Sequence, residues 1–502
     1  MLLCGIDVGT SSIKVSVVDA ANQQLIYSTS YPETENEISS PAPGFAEQDP
    51  EHWWFCVQQA ILKANASRTY DSKDISAIGI SYQMHGLVVL DGNNEVVRPS
   101  IIWCDSRSVE IGKKAYLSIG ESYCQQNLLN SPGNFTASKL AWVKENEPQL
   151  YARIKQVMLP GDFIAGRLTH QFTTTPSALS EGIFWDFKAK MPSQQLFDYF
   201  GFDGSLLPPI QDVFTKHGTI DINVAESLGL NSQVQVTYKA GDQPNNAFSL
   251  GVLSPGDIAT TAGTSGVVYG VSSELKYDSN NRVNSFAHVN HSSQQTRIGV
   301  LMCINGTGIL NRWVRQTICP ELSYQEMNQL AASSEIGSKG LLCIPFGNGA
   351  ERIFQNRQIG ASFEHLDFNR HNRSEMIRSA QEGIAFSMAY GIEMLADAGI
   401  QPARLKAGYA NMYLSEVFSQ TIVNAAGVSV DLLESDGAFG AALGAGLGLN
   451  YYKNEQESVA KIKQIKTINP ISSQVEATKE AYLRWKELVN HKILKRESLS
   501  IS

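Results

Sequence analysis

Two stretches far apart in this chain are written on one plan, and that repetition constrains the fold more than any other feature. Leu2 to Val18 reads as strand, turn, strand: apolar and β-branched residues around Ile6 and from Ile13 to Val18 flank Gly9, Thr10, Ser11 and Ser12. Asp257 to Gly270 repeats it, with an alternating run, then Gly263, Thr264, Ser265 and Gly266, then Val267, Val268 and Tyr269. Glycine leaves room for an anion, and such a turn aims N–H groups and hydroxyls outward, so each copy has the makings of a phosphate loop. A single copy is as readily an ordinary hairpin. Recurrence near the start of each half points to duplicated domains that each give one hairpin to a shared cleft.

Length agrees with duplication. A chain of 502 residues exceeds what one core sustains, and the natural division is 1–250 and 251–490. Apolar residues make up 43% and charged residues 18%, with no charged block, which excludes intrinsic disorder short of the last few residues. A net charge of −9 argues against a nucleic-acid partner, although a cleft carrying magnesium still accepts an anionic nucleotide. The seven cysteines are odd in number and scattered in apolar runs, as expected of reduced core residues in a cytoplasmic protein. No signal peptide, membrane-length apolar run or zinc-ligand spacing is present in the sequence, so no membrane partner is expected.

Along the chain, Gln24 to Ser30 is a third strand and Pro32 to Gln48 a loop. Asp49 and Pro50 open a helix whose inner face is predicted to carry Trp54, Val57 and Ile61. The apolar strand Ile75 to Ser81 ends in Gln83-Met84-His85-Gly86, where strand-end loops of α/β sheets gather ligands. Gln83 and His85 suit hydroxyls or a carbonyl, and a structural histidine is the other reading of His85. Asp105 and Arg107 bind a sugar or pair with each other. Thr173, Thr174, Thr175, Ser177 and Ser180 suggest hydrogen bonding at the cleft or surface. Strand Gln233 to Tyr238 runs into Gly241-Asp242-Gln243, so Asp242 is placed either as a base or as a turn former. A long helix through Ile377, Met388 and Leu395 stops at Gly399. The small-residue run Gly437 to Ala445 permits close backbone approach, and a helix from Gln474 to Leu488 precedes a polar tail.

With these residues in view the chain resembles the FGGY carbohydrate kinases over nearly its whole length, from Leu3 to about Leu488. GIDVGTSSIKV, EQDPEHWW, QMHGLVVLD, RPSIIWCDSR, SPGNFTASKLAWV, AGDQ, TAGTSG and NGAER carry the likeness. The xylulose-phosphorylating branch is the most similar. The resemblance implies an α/β protein of two actin-like (ribonuclease-H-like) domains, the first holding sugar and the second nucleotide, with the cleft between them. It implies ATP-dependent phosphorylation of D-xylulose at its 5-hydroxyl, with ATP and Mg2+ as cofactors. Asp242 is expected as general base, Gln83, Met84, His85, Asp105 and Gln243 as sugar contacts, and Asp7 as the residue facing magnesium. Gly9, Thr10, Ser11, Lys14, Gly263, Thr264, Gly408, Ala410 and Asn411 are expected around the nucleotide. Another ketose or polyol acceptor (ribulose, glycerol), or a non-catalytic sensor on the same scaffold, are the alternatives, and a homodimer is left open. Two departures stand out: Asp242-Gln243 where this branch commonly has Asp-Asn, and Ala407-Gly408-Tyr409-Ala410 where the family usually has Gly-Gly-Gly-Ala. The second predicts that adenine contacts are relocated while phosphate contacts are kept.

Overall fold

The computed structural model describes residues 1–500, with side chains to Leu494. Its first sheet contains β1 (Leu2–Val8), β2 (Ile13–Asp19), β3 (Gln24–Tyr31), β4 (Ile75–Tyr82), β5 (Phe214–Thr219) and β6 (Gln235–Gly241), in the order β5-β6-β4-β1-β2-β3. The second contains β7 (Asp257–Ala262), β8 (Gly266–Ser272), β9 (Asn284–Ala287), β10 (Ile298–Ile304), β11 (Arg404–Gly408), β12 (Val430–Leu433) and β13 (Gln464–Ile468), ordered β9-β10-β8-β7-β11-β12-β13. Both have one nucleus. Three antiparallel strands, β3-β2-β1 or β10-β8-β7, continue into two parallel ones, β4-β6 or β11-β12. This is the ribonuclease-H-like, actin-like arrangement, and the repeated hairpins occupy equivalent places in it.

The helix expected after Asp49 is α1 (Pro50–Ala66), capped by the Asp49 side chain on the Glu51 N–H. Its inner face differs from the expectation: Trp53, Val57 and Ile61 are buried, whereas Trp54 is half-buried. A buried indole needs a partner for its N–H, and Trp53 Nε1 donates to Gln48 Oε1 at 3.1 Å. Elements that position the cleft are α2 (Thr136–Asn146), α3 (Pro176–Glu181), α4 (Asp242–Ser249), α5 (Gly308–Ile318), α6 (Arg373–Asp397) and α7 (Gly437–Gly448). The terminal helix, α8 (Ser472–Ser500), runs on past the expected end at Leu488, and residues 501–502 of the predicted polar tail lie outside the described residues.

Helix α7 comes from the second half of the chain but packs on the first sheet. A Cβ at Gly5 would lie 1.8 Å from Ala438 O, and one at Gly79 1.9 Å from Ala441 O, so β1 and β4 accept this helix only through glycine. The polar run on α3 is not at the surface. Ser177 Oγ donates to Ala287 O and Ser180 Oγ accepts from Ala287 N, both at 2.9 Å, while Asn130 exchanges two hydrogen bonds with Ser285. Edge strand β9 of the second sheet is thereby fastened to the first domain. Cys104 is exposed and Cys303 half-buried, unlike the five buried cysteines. Among the described residues no helix is long and apolar enough to cross a membrane.

Candidate active site

The first turn is braced from behind. Thr10 Oγ1 donates to Gln83 Oε1 at 3.1 Å and accepts from Trp103 Nε1 at 2.9 Å. Gln83 Nε2 donates to Gln48 Oε1 at 3.1 Å, and Gln48 Nε2 to Thr10 O at 2.9 Å. Gln83 is therefore a buried strut between turn and strand rather than an open amide, because both ends of its side chain are engaged. Gly9 N–H bonds to Ser12 O at 3.1 Å, closing the turn, and Ser11 is exposed at its tip. Lys14 Nζ lies 2.7 Å from Asp436 Oδ2, at the start of α7.

Asp7 and Asp242 share the cleft floor at the ends of β1 and β6. Burial, then the charge of Asp7, pushes the Asp242 carboxyl up to about 7. Burial likewise raises Asp7, against the Ser81 hydroxyl, which favours its anion. Gln243 hydrogen-bonds Asp242 and stabilises its carboxylate. His85 and Met84 close one side. His85 Nδ1 lies 2.9 Å from Glu181 O, and since a carbonyl only accepts, Nδ1 carries the proton. Burial holds the ring neutral, with its pKa down at about 3, so Nε2 is left as an acceptor. Lys139 Nζ donates to His85 O and Ile102 O, 2.9 Å each, and fixes the backbone of the segment. Asp105 does not open onto the cleft. Its carboxylate takes hydrogen bonds from Arg107 and from Ala46 N–H, and Arg107 is stacked over Phe45. The pairing alternative holds for these two residues.

The second turn is clasped from its own domain: Gly308 N–H bonds to Gly263 O at 2.9 Å and Ile309 N–H to Thr264 O at 3.1 Å. Beside it lies a cavity of about 340 Å3 lined by Gly263, Thr264, Gly308, Arg312, Tyr324 and Asn411, among others. Of the three residues expected near adenine, Asn411 lines this cavity. Ala410 instead lines a different one with Tyr409, Asp436 and Lys461, and Gly408 ends β11 facing Ser435 O. Tyr409, which stands where the family usually has a glycine, lines that second cavity and stays 46% exposed.

Residues 2–249 match the N-terminal domain, and residues 258–449 the C-terminal domain, described for the FGGY family of carbohydrate kinases. The chain belongs to this family. As an FGGY kinase it is a phosphotransferase with an alcohol group as acceptor, and its cleft is the place for that chemistry. It is 27% identical over 492 residues to the xylulose kinase of Bacillus subtilis, covering 97% of this chain and 96% of that one. To the xylulose kinase of Staphylococcus epidermidis it is 29% identical over 464 residues, covering 91% and 90%. A crystal structure of a "xyloylose kinase" from Brucella ovis superimposes with a TM-score of 0.88 at 26% identity, covering 97% and 98%.

Four residues of this FGGY kinase cleft carry no sequence signal that assigns them a role: Phe286, Glu181, Glu351 and Arg352. Glu351 accepts from the Asn305 N–H, 3.1 Å to each oxygen, and burial raises its pKa to about 7. Among the described residues the Arg352 guanidinium makes one hydrogen bond, from Nε to Asn281 O at 2.9 Å, and its charge is felt by His85.

Proposed function

We propose that this protein transfers the γ-phosphoryl group of ATP to the 5-hydroxyl of D-xylulose in the cytoplasm. Residues 1–250 hold the acceptor and the base, and residues 251–490 the nucleotide. The observation that carries the reading is Asp242: a buried carboxyl at the end of β6, next to the Gly241 turn that packs on Met84, whose pKa burial and the neighbouring Asp7 push up to about 7. The names of the relatives support D-xylulose as acceptor.

Asp242 accepts the hydroxyl proton as the sugar oxygen forms its bond to phosphorus and the bond to the nucleotide's bridging oxygen breaks. His85 Nε2 accepts a hydrogen bond from another sugar hydroxyl, while Met84 supplies apolar surface. The Gly9 and Gly263 turns present backbone N–H groups to phosphate. The residues fit the nucleotide, since the cavity beside Gly263 is open and a Cβ at Gly263 would approach Asn411 only to 3.7 Å. They also fit magnesium, which usually takes one or two carboxylates together with phosphate oxygens and water, and Asp7 offers such a carboxylate. Magnesium, when bound, neutralises charge on the transferring group.

The test is a panel of xylulose, ribulose, glycerol, gluconate and fuculose with ATP and magnesium, ranked by kcat/KM. D-Xylulose is expected to lead. Another sugar in first place overturns the acceptor while leaving the kinase, and no turnover with any acceptor points to a sensor.

A further inference from the structure

Three asparagines line the cavity beside the Gly263 turn: Asn311, Asn328 and Asn411. Asn411 stands by the turn itself, its Nδ2 3.7 Å from where a Cβ at Gly263 would lie. Asn328 is held in a set direction, and the constraint starts at Ser415, the N-cap of the helix Glu416–Ala426. Ser415 Oγ accepts from the Phe418 N–H at 3.3 Å, which leaves its hydrogen free to donate, and it donates to Gln381 Oε1 at 2.8 Å. Gln381, on α6, is fully buried, and so is Ser415 but for 2%, so neither turns to water instead. With its oxygen engaged, Gln381 donates from Nε2 to Asn328 Oδ1 at 2.8 Å, on the helix Tyr324–Ala332. Turning both amides round would make Ser415 accept twice and leave its buried hydrogen unspent. Asn328 is half-buried, its oxygen is committed inward, and its Nδ2 has no partner among the described residues. It therefore offers the cavity N–H donors alone. Asn311, on α5, is 8% exposed and its Oδ1 has no partner among the described residues, an exception of the kind a bound ligand explains. No hydrogen bond fixes which end of that amide faces the cavity, so selection falls on Asn328.

We propose that Asn328 selects the nucleobase by donating to the ring nitrogen N1 of adenine, and that Ser415 and Gln381 set this choice from inside the domain. This rests on the reading of the cavity as the nucleotide's. Adenine N1 is a bare acceptor. In the 6-oxopurines, guanine and hypoxanthine, the same atom carries a proton and meets Asn328 Nδ2 donor against donor, leaving both unpaired. N3 and N7 accept in all three bases, so a contact there gives no such selection. A side-chain amide thereby takes over from the glycine turn that Ala407-Gly408-Tyr409 replaces, and base choice is kept rather than relaxed.

Calorimetry on the full-length protein with magnesium compares ADP, GDP and IDP. IDP is the sharpest probe, because it differs from ADP only at the 6-position and in the proton on N1. Wild type should bind ADP at least about tenfold more tightly than IDP. Asn328→Leu should bring that ratio within about threefold by weakening ADP, and Asn328→Asp, which offers only acceptors, should reverse it. Gln381→Met frees the Asn328 amide to turn, so the ratio should again fall within about threefold, although residue 381 does not line the cavity. Circular dichroism reports whether Gln381→Met has folded, and if it has not, the two Asn328 variants decide. No preference in wild type, or a ratio unchanged in both Asn328 variants, overturns the proposal, and a ratio that survives folded Gln381→Met overturns the part played by Ser415 and Gln381. Turnover is read apart from this. Selection of ADP by a protein that phosphorylates no sugar refutes the kinase reading and leaves Asn328 in its role, whereas no binding of any diphosphate overturns both.

Discussion

The ring of Phe286, on edge strand β9 of the second sheet, lies 5.3 Å from the ring of His85 in the first domain. Phe135 meets both rings edge-on, so His85 is held in an aromatic box with one wall from each domain. Phe286→Leu should therefore loosen the acceptor site while sparing the nucleotide site. About a tenfold fall in kcat/KM for sugar is expected, with ADP affinity by calorimetry changed less than about twofold. Unchanged sugar kinetics would show that the box does not bear on the acceptor.

Asp242→Asn should lower turnover by roughly 10² or more while leaving sugar binding close to wild type. The base works as the carboxylate. In the wild type kcat/KM should thus decline as pH falls below about 7, where Asp242 takes up its proton. A flat profile between pH 5 and 8 would place proton acceptance elsewhere.

Gln83 reaches the first glycine turn through Thr10, and Gln83→Leu leaves the Thr10 and Gln48 side chains each without a partner they now have. The expected result is a rise in KM for ATP of about tenfold, larger than the rise in KM for sugar. If the sugar KM moves most, the amide belongs to the acceptor after all.

Arg352 stands in the second domain with no ion pair among the described residues, its charge reaching His85 across the cleft, where a phosphoryl transfer would gather negative charge. Arg352→Gln is expected to lower kcat by roughly 10² while leaving ADP binding unchanged, and Arg352→Lys to recover part of it. Stopped-flow and calorimetry separate the two effects; wild-type kcat in Arg352→Gln refutes the role.

Glu351 gives a signature in stability. Its folded pKa of about 7 is raised above the ordinary 4.5 by burial, so the stability it contributes is fully present below pH 4.5 and lost as pH rises through 7. The stability of wild type relative to Glu351→Gln should fall between pH 5 and 8, by on the order of 3 kcal/mol. Denaturant unfolding at the two pH values measures it.

The hairpins, the strand leading to Asp242 and the core face of α6 are legible in the sequence because each is local: β-branched runs, a turn and a helical period declare themselves within a few residues. Trp53 is not distinguished from Trp54 by periodicity, since the buried indole is chosen by Gln48 five residues earlier. Gln83 and Asp105 could not be seen to have protein partners for a similar reason. A polar residue at a strand end reads the same whether it faces a ligand or a partner 73 residues away, as the Gln83–Thr10 pair is.

The approach of α7 to Gly5 and Gly79 also orders events in time. During synthesis the first sheet is complete in strands once residue 241 has emerged, yet the surface of β1 and β4 waits for a helix encoded about 200 residues later. A nascent or truncated chain ending near residue 250 carries a bare strip cut to fit backbone, narrow enough to admit a helix of small residues and to reject bulkier ones. That strip is covered only when the second half arrives.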